Sequence, residues 1–303
     1  MRYHFFNPTT LLVLTLLALP WSSQADIGSS DPQKIMVGAV ERSYLLRKPE
    51  GTKEPLPLLI FLHGGSQSAE LAERHTEFTH LAKQDNFLVV YPSGIEGHWS
   101  DGRSVVAGND DVAFISGLID KLINEHLADP HRIYVAGASN GGMMAQRIGC
   151  ELSAKVTAIA SVIANMPKKT ISDCKPTHPL SVLMINGTDD TIMPWDGGKM
   201  GGKGGHVAST TETIQFWAKH NGCNLQHVRE PLPDLNSNDH SVVVRHTFVG
   251  CKNNAQVDLL KVKGGGHTWP GRKAGVLGKM LGNTNQDMQA TSVIWNFFQP
   301  KRK

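Results

Sequence analysis

Gly137-Ala138-Ser139-Asn140-Gly141 reads as G-x-S-x-G, a pattern that recurs by chance unless its surroundings fit. Here it follows the apolar run IYVA and opens the helix-like stretch GGMMAQRIG, the context required of a nucleophile elbow. A serine on a tight strand-to-helix turn lifts its oxygen above a sheet. The helix N-terminus behind it offers N–H groups to developing negative charge. Ser139 is therefore the candidate nucleophile. Its partners are expected in the chain order Ser, Asp, His. After the apolar run LSVLMI comes NGTDDTIMPW, in which Asp189 and Asp190 adjoin; Asp190 is favoured. After a last strand pattern comes GGGHTWPG, whose glycines let His267 reach over the sheet as general base. Upstream, His63-Gly64-Gly65-Ser66 follows LLIFL, where a loop supplying an oxyanion donor belongs. The expected donors are the backbone N–H of Asn140 and one from the loop through Gly65 and Ser66. The chemistry is acyl transfer: attack on a carbonyl, an acyl-enzyme and release by water, with no metal or organic cofactor.

The elements that must hold these residues alternate. Lys34 to Leu46 reads as an antiparallel pair of strands, and Leu58–Leu62 and Phe87–Tyr91 as strands buried on both faces. Ile133–Ala136, Val156–Ile163, Leu180–Ile185 and Val257–Val262 complete the strand set. Helices are expected over Ala69–Gln84, Val112–His126 with Asp110 and Asp111 at its positive end, from Gly141 onward, and over Gln289–Phe298. Ser209-Thr210-Thr211-Glu212 is a capping box for a further helix that ends at Asn221-Gly222. Strands alternating with helices specify an α/β class, with a mostly parallel central sheet and helices on both faces.

The chain has 303 residues, 40% of them hydrophobic, with 30 basic against 27 acidic side chains and a net charge of +3. That is a globular composition without the basic excess of a nucleic-acid binder. Residues 1–25 read as a secretory signal peptide, with one charge at Arg2, the short apolar run Leu11–Leu19 and a Ser23-Gln24-Ala25 cleavage site. Residues 26–303 are then expected to form one catalytic domain, secreted or periplasmic, with no stable membrane anchor after cleavage. In such a compartment four cysteines suggest two disulfides, and proximity favours Cys150–Cys174 and Cys223–Cys251.

Six segments carry a resemblance to a known family: Leu58–Ala69 (LLIFLHGGSQSA), Asp110–Asp120 (DDVAFISGLID), Asp129–Met144 (DPHRIYVAGASNGGMM), Asn186–Gly198 (NGTDDTIMPWDGG), Trp217–Cys223 (WAKHNGC) and Gly264–Gly271 (GGGHTWPG). Between Glu41 and Phe298 the chain resembles the esterase and polyhydroxybutyrate depolymerase-like family of α/β-hydrolases, which includes the feruloyl esterases of carbohydrate esterase family 1. The resemblance implies the α/β-hydrolase fold and an ester substrate, polymeric substrates included. It implies Ser139 as nucleophile, Asp190 as triad acid and His267 as base, and it supports both cysteine pairings.

Substrate expectations are coarser. Trp195 and Trp269 follow the acid and the base closely, and Trp99 sits in the loop SGIEGHWSDG, so all three are expected as aromatic walls of the cleft. A polyhydroxyalkanoate depolymerase-like esterase leads. A hydroxycinnamoyl esterase acting on plant polysaccharide is the first alternative. A hydrolase of amide bonds in a polyacid such as poly(aspartic acid) is the next, on the strength of Lys199 and Lys203 in a glycine-rich loop. A binding protein on an inactive hydrolase fold is the last. Few residues follow Phe298, so no substrate-binding module is expected, which points to soluble esters, oligomers or amorphous polymer. Gly65, where many polyester depolymerases carry cysteine, leans toward the general esterase branch.

Overall fold

The computed structural model describes residues 1, 31–53, 55–103, 108–201, 204–273 and 278–303. The leader sequence expected at 1–25 thus lies almost wholly outside the described residues, as does Lys203.

Ten strands form one sheet, and their order explains why the middle of the sequence is so apolar. Strands β1 (Gln33–Val37), β2 (Val40–Arg47), β4 (Leu88–Pro92), β3 (Leu56–Leu62), β5 (Ala128–Ala138), β6 (Ala158–Val162), β7 (Ser181–Gly187), β12 (Val257–Lys263), β11 (Val242–Phe248) and β10 (His227–Pro231) follow one another across it. The central six, from β4 to β12, run parallel. Antiparallel strands finish both margins. A short hairpin, β8 (Gly198–Lys199) with β9 (His206–Val207), lies apart.

Helices cover both faces of the sheet. On one side α3 (Asp111–Asn124), α4 (Asn140–Glu151) and α6 (Thr210–His220) pack with Leu58, Ile60 and Leu62 of β3. On the other side α1 (Ala69–Thr76), α2 (Phe78–Asp85) and α7 (Ala290–Phe298) pack with Leu59 and Phe61 of the same strand. Alternate residues thus feed two cores, so all seven residues of β3 are buried. Each such aliphatic side chain contributes roughly 1.5–3 kcal/mol. The remaining helix, α5 (Lys168–Asp173), has six residues.

The capping box at Ser209 and Glu212 is formed, and α6 ends at Asn221 as its sequence suggests. Asp110 caps α3, its side chain accepting the N–H of Ala113 at 2.9 Å. Both disulfides expected from proximity are present, Cys150–Cys174 and Cys223–Cys251. One departure is a break in the expected helix over 69–84. Glu77 adopts a left-handed conformation with φ 58°, so α1 stops at Thr76 and α2 starts at Phe78. No helix among the described residues is long and apolar enough to cross a membrane.

Candidate active site

Ser139 occupies the single residue between β5 and α4, with φ 53° and ψ −118°, a region that L side chains seldom adopt. The flanking glycines explain how so sharp a turn closes. A Cβ on Gly137 would sit 2.2 Å from the carbonyl oxygen of Gly141, and one on Gly141 would sit 2.1 Å from that of Leu62. Any side chain at either position forces the strand, the helix and the neighbouring β3 apart. With glycine there, the start of α4 abuts the end of β3.

Three loops at the carboxyl ends of parallel strands converge on this serine. Ser139 Oγ lies 3.0 Å from His267 Nε2, and His267 Nδ1 lies 2.7 Å from Asp190 Oδ2. The other carboxylate oxygen of Asp190 accepts the N–H groups of Ile192 at 2.9 Å and Met193 at 2.7 Å. Asp190 and His267 are buried. Asp189, the adjacent carboxylate, is exposed and among the described residues accepts only the hydroxyl of Thr188 at 2.7 Å. The residue that meets the histidine is therefore Asp190. The histidine loop is pinned by a segment that sequence reasoning missed: His267 N–H donates to Leu281 O at 2.7 Å and Gly266 N–H to Asn283 O at 2.9 Å.

The expected oxyanion donors are resolved by the bonds each amide already makes. The Ser66 N–H donates to Gly97 O at 2.8 Å and is committed there. Gly65 stands beside the elbow, a Cβ on it falling 3.7 Å from Asn140 Cβ. Among the described residues neither the Gly65 nor the Asn140 N–H has an acceptor, and both residues line the cleft over Ser139. Of the three expected residues, Gly65 and Asn140 thus have an N–H left uncommitted among the described residues.

Of the three tryptophans expected as cleft walls, one is. Trp269 is half-buried on the rim, edge-on to Phe61 at 5.6 Å and Phe78 at 6.4 Å. Trp99 is fully buried beneath the site, its indole N–H donating to His63 O at 3.0 Å. Trp195 packs on the α3–α4–α6 core under the ammonium of Lys261, 4.7 Å from its ring, and does not line the cleft. In each loop a buried side chain holds the backbone. Asn140 binds both backbone groups of Trp99, and Asn165 Nδ2 donates to Pro194 O at 3.0 Å. Lys199, in the exposed β8, is also absent from the cleft.

The cleft itself is open, about 1370 Å³, and gathers apolar groups (Phe61, Met143, Ile163, Ile192, Trp269) around the serine and histidine. His63 underlies it. Its Nε2 accepts the Gly94 N–H at 2.9 Å, so Nδ1 carries the proton and donates to Gly64 O at 2.8 Å. Burial holds its pKa below the ordinary 6.5, and the ring stays neutral.

Comparison with known proteins agrees with this architecture. Residues 42–167 match the family described as Esterase PHB depolymerase. NocK of Nocardia uniformis subsp. tsuyamanensis, which carries an esterase name, is 28% identical over 88% of this chain and 81% of its own. Feruloyl esterase B of Piromyces equi is 29% identical over 75% of this chain, which spans only 42% of that protein. Poly(3-hydroxyalkanoate) depolymerase C of Paucimonas lemoignei is 28% identical over 56% of this chain and 41% of its own length. Among solved structures, an acetyl xylan esterase from Aspergillus awamori superposes with a TM-score of 0.58 at 15% identity, over 78% of this chain and 94% of that one. This likeness shows the shared fold. The chain is an α/β-hydrolase of the serine-hydrolase class that acts on ester bonds.

Proposed function

We propose that the chain hydrolyses short or oligomeric hydroxyalkanoate esters through Ser139, His267 and Asp190. The observation that carries this reading is the continuous contact from Ser139 Oγ through His267 to Asp190, at 3.0 and 2.7 Å, beneath the uncommitted N–H groups of Gly65 and Asn140. As Ser139 Oγ bonds to the ester carbonyl carbon, its proton passes to His267 Nε2 and the carbonyl π pair moves onto oxygen. Asp190 holds the proton on Nδ1 and stabilises the imidazolium, with its own second oxygen anchored by two backbone N–H groups. The Gly65 and Asn140 amides meet the oxyanion; losing one such donor typically costs about 3 kcal/mol in the transition state. The imidazolium then gives its proton to the departing alkoxide. Water, deprotonated by the same histidine, cleaves the acyl-enzyme.

The substrate class rests on the cleft. At about 1370 Å³ it exceeds the roughly 300–1,000 Å³ of a site for one small molecule, and its apolar wall suits an aliphatic polyester segment. The Esterase PHB depolymerase match and the similarity to a depolymerase support the same reading. A hydroxycinnamoyl ester is the second reading, favoured by Trp269 on the rim and by the similarity to a feruloyl esterase. Export rests on the apolar leader and on the two disulfides, which suit an oxidising compartment.

A product assay decides. Wild type and Ser139→Ala are incubated with amorphous polyhydroxybutyrate, methyl ferulate, p-nitrophenyl butyrate and poly(aspartic acid). The expected result is hydroxybutyrate oligomers from wild type alone. Ferulate without oligomers replaces the leading reading with the second. Ester turnover by Ser139→Ala removes the nucleophile, and cleavage of the polyacid alone establishes the amide reading.

A further inference from the structure

Trp99 and the Asn140 side chain sit directly beneath the oxyanion site and have no part in the triad. The Asn140 carboxamide engages the Trp99 backbone twice: Oδ1 accepts the Trp99 N–H at 2.8 Å, and Nδ2 donates to Trp99 O at 3.0 Å. Its second Nδ2 hydrogen reaches Asp101 Oδ2 at 2.6 Å. On its other side Trp99 donates its indole N–H to His63 O at 3.0 Å and packs on the His63 ring, centroids 4.9 Å apart. His63 in turn fixes Gly64 and Gly94. Asn140, Trp99, His63 and Asp101 are all buried.

We infer that Trp99 and the Asn140 side chain are positioning residues that brace the two halves of the oxyanion hole, the loop at Gly65 and the start of α4, at a fixed separation. The inference rests on the proposed serine mechanism, in which those two amides meet the oxyanion. The halves come from different strands, β3 and β5, so nothing in local chain connectivity sets the distance between them. Only a carboxamide can act as donor and acceptor to one residue's backbone at once while also donating to a carboxylate. That accounts for asparagine at the residue after the nucleophile, and for a buried tryptophan in a loop that the sequence alone suggests for substrate contact. Preorganised donors stabilise the transition state because they need not move as charge develops.

Four variants test the brace: Trp99→Phe, which keeps an aromatic ring and removes the indole N–H; Asn140→Ala, which keeps the backbone donor; and Asn140→Asp with and without Asp101→Asn. Turnover of p-nitrophenyl butyrate is measured per active site titrated, alongside the affinity of a phenylboronic acid that forms a tetrahedral adduct on serine. Trp99→Phe and Asn140→Ala are expected to lose roughly ten- to a hundredfold in kcat with KM changed by less than about twofold, and to lose boronate affinity by a similar factor. Asn140→Asp is expected to lose as much, with partial recovery on adding Asp101→Asn, which restores a donor opposite the new carboxylate while the bond to Trp99 O stays lost. Unchanged kcat and boronate affinity per titrated site in Trp99→Phe and Asn140→Ala, even with a lowered Tm, overturn the inference and leave a merely structural network. Turnover by Ser139→Ala on the same ester overturns the mechanism beneath it, a distinct result.

Discussion

Ser139 holds a backbone geometry that costs free energy, at φ 53° and ψ −118°. Strain of this kind amounts to about 1–3 kcal/mol for a residue with a Cβ. Replacing the serine separates strain from reactivity. Ser139→Gly is expected to lose hydrolysis and gain stability, with a Tm above that of Ser139→Ala, which keeps the strain; equal or reversed Tm values in calorimetry contradict strain at the elbow. The acid lends itself to a similar comparison, since Asp189 and Asp190 differ in environment but not in chemistry. Asp190→Asn leaves a carboxamide against His267 and two backbone donors, so kcat is expected to fall by on the order of 10⁴-fold, while exposed Asp189→Asn stays near wild type. Steady-state kinetics on p-nitrophenyl butyrate reads both. At this scale the sequence was informative about which side chains meet and poor about their surroundings. Chain order and the turn motif single out Ser139, Asp190 and His267. Nothing in residue type says that Ser66 spends its N–H on Gly97, or that Trp99 turns under the site while Trp269 stays on its rim.

Secondary-structure elements were legible where one kind of patterning acted alone. Continuous apolar runs gave the central strands, and Ser209 with Glu212 gave the start of α6. The break at Glu77 was hidden because its left-handed turn uses no glycine, and the apolar spacing continues across it. Asp110 and Asp111, alike as acidic residues at a helix start, diverge: one caps α3, the other is buried against Arg42 at 2.7 Å and accepts the Ser100 N–H at 2.7 Å. The margin strands β10 and β11 escaped notice because their faces are largely solvated and their composition is mixed, HVREP and VVVRHTF. That hairpin also makes a pH prediction. His246 Nδ1 meets His227 Nε2 at 2.9 Å, and burial, with nearby His227 and Arg229, lowers the His246 pKa from 6.5 to about 4. The unfolded chain therefore binds a proton that the folded one refuses between those values. Its contribution is present above pH 6.5 and is lost as pH falls toward 4. His246→Phe is expected to flatten the decline in Tm over that interval. A decline as steep as in wild type places the acid sensitivity elsewhere.

Across the whole molecule, the parallel centre of the sheet collects the loops bearing Ser139, Asp190 and His267 at one end, and antiparallel strands close both margins. Two covalent ties support the layers. Cys150–Cys174 joins the end of α4 to the residue after α5, and Cys223–Cys251 joins the residues following α6 to those following β11. Neither lines the cleft, so the two ties should affect stability and leave the chemistry alone. Closing loops with separations of 24 and 28 residues stabilises a folded chain by roughly 3 kcal/mol each, mainly by restricting the unfolded state. For a chain of this size that corresponds to a Tm change on the order of 5–10 °C per tie. The Cys223→Ser, Cys251→Ser double variant is therefore expected to melt earlier by about that amount while keeping kcat/KM for p-nitrophenyl butyrate at 25 °C. The Cys150→Ser, Cys174→Ser pair is the stricter case, because Cys150 lies on the helix that begins at Asn140. If only that pair lowers kcat per titrated site, the position of α4 depends on its far end as well as on the glycine-rich turn. If both pairs keep full turnover, the elbow is held by the sheet and by the contacts at the start of the helix alone.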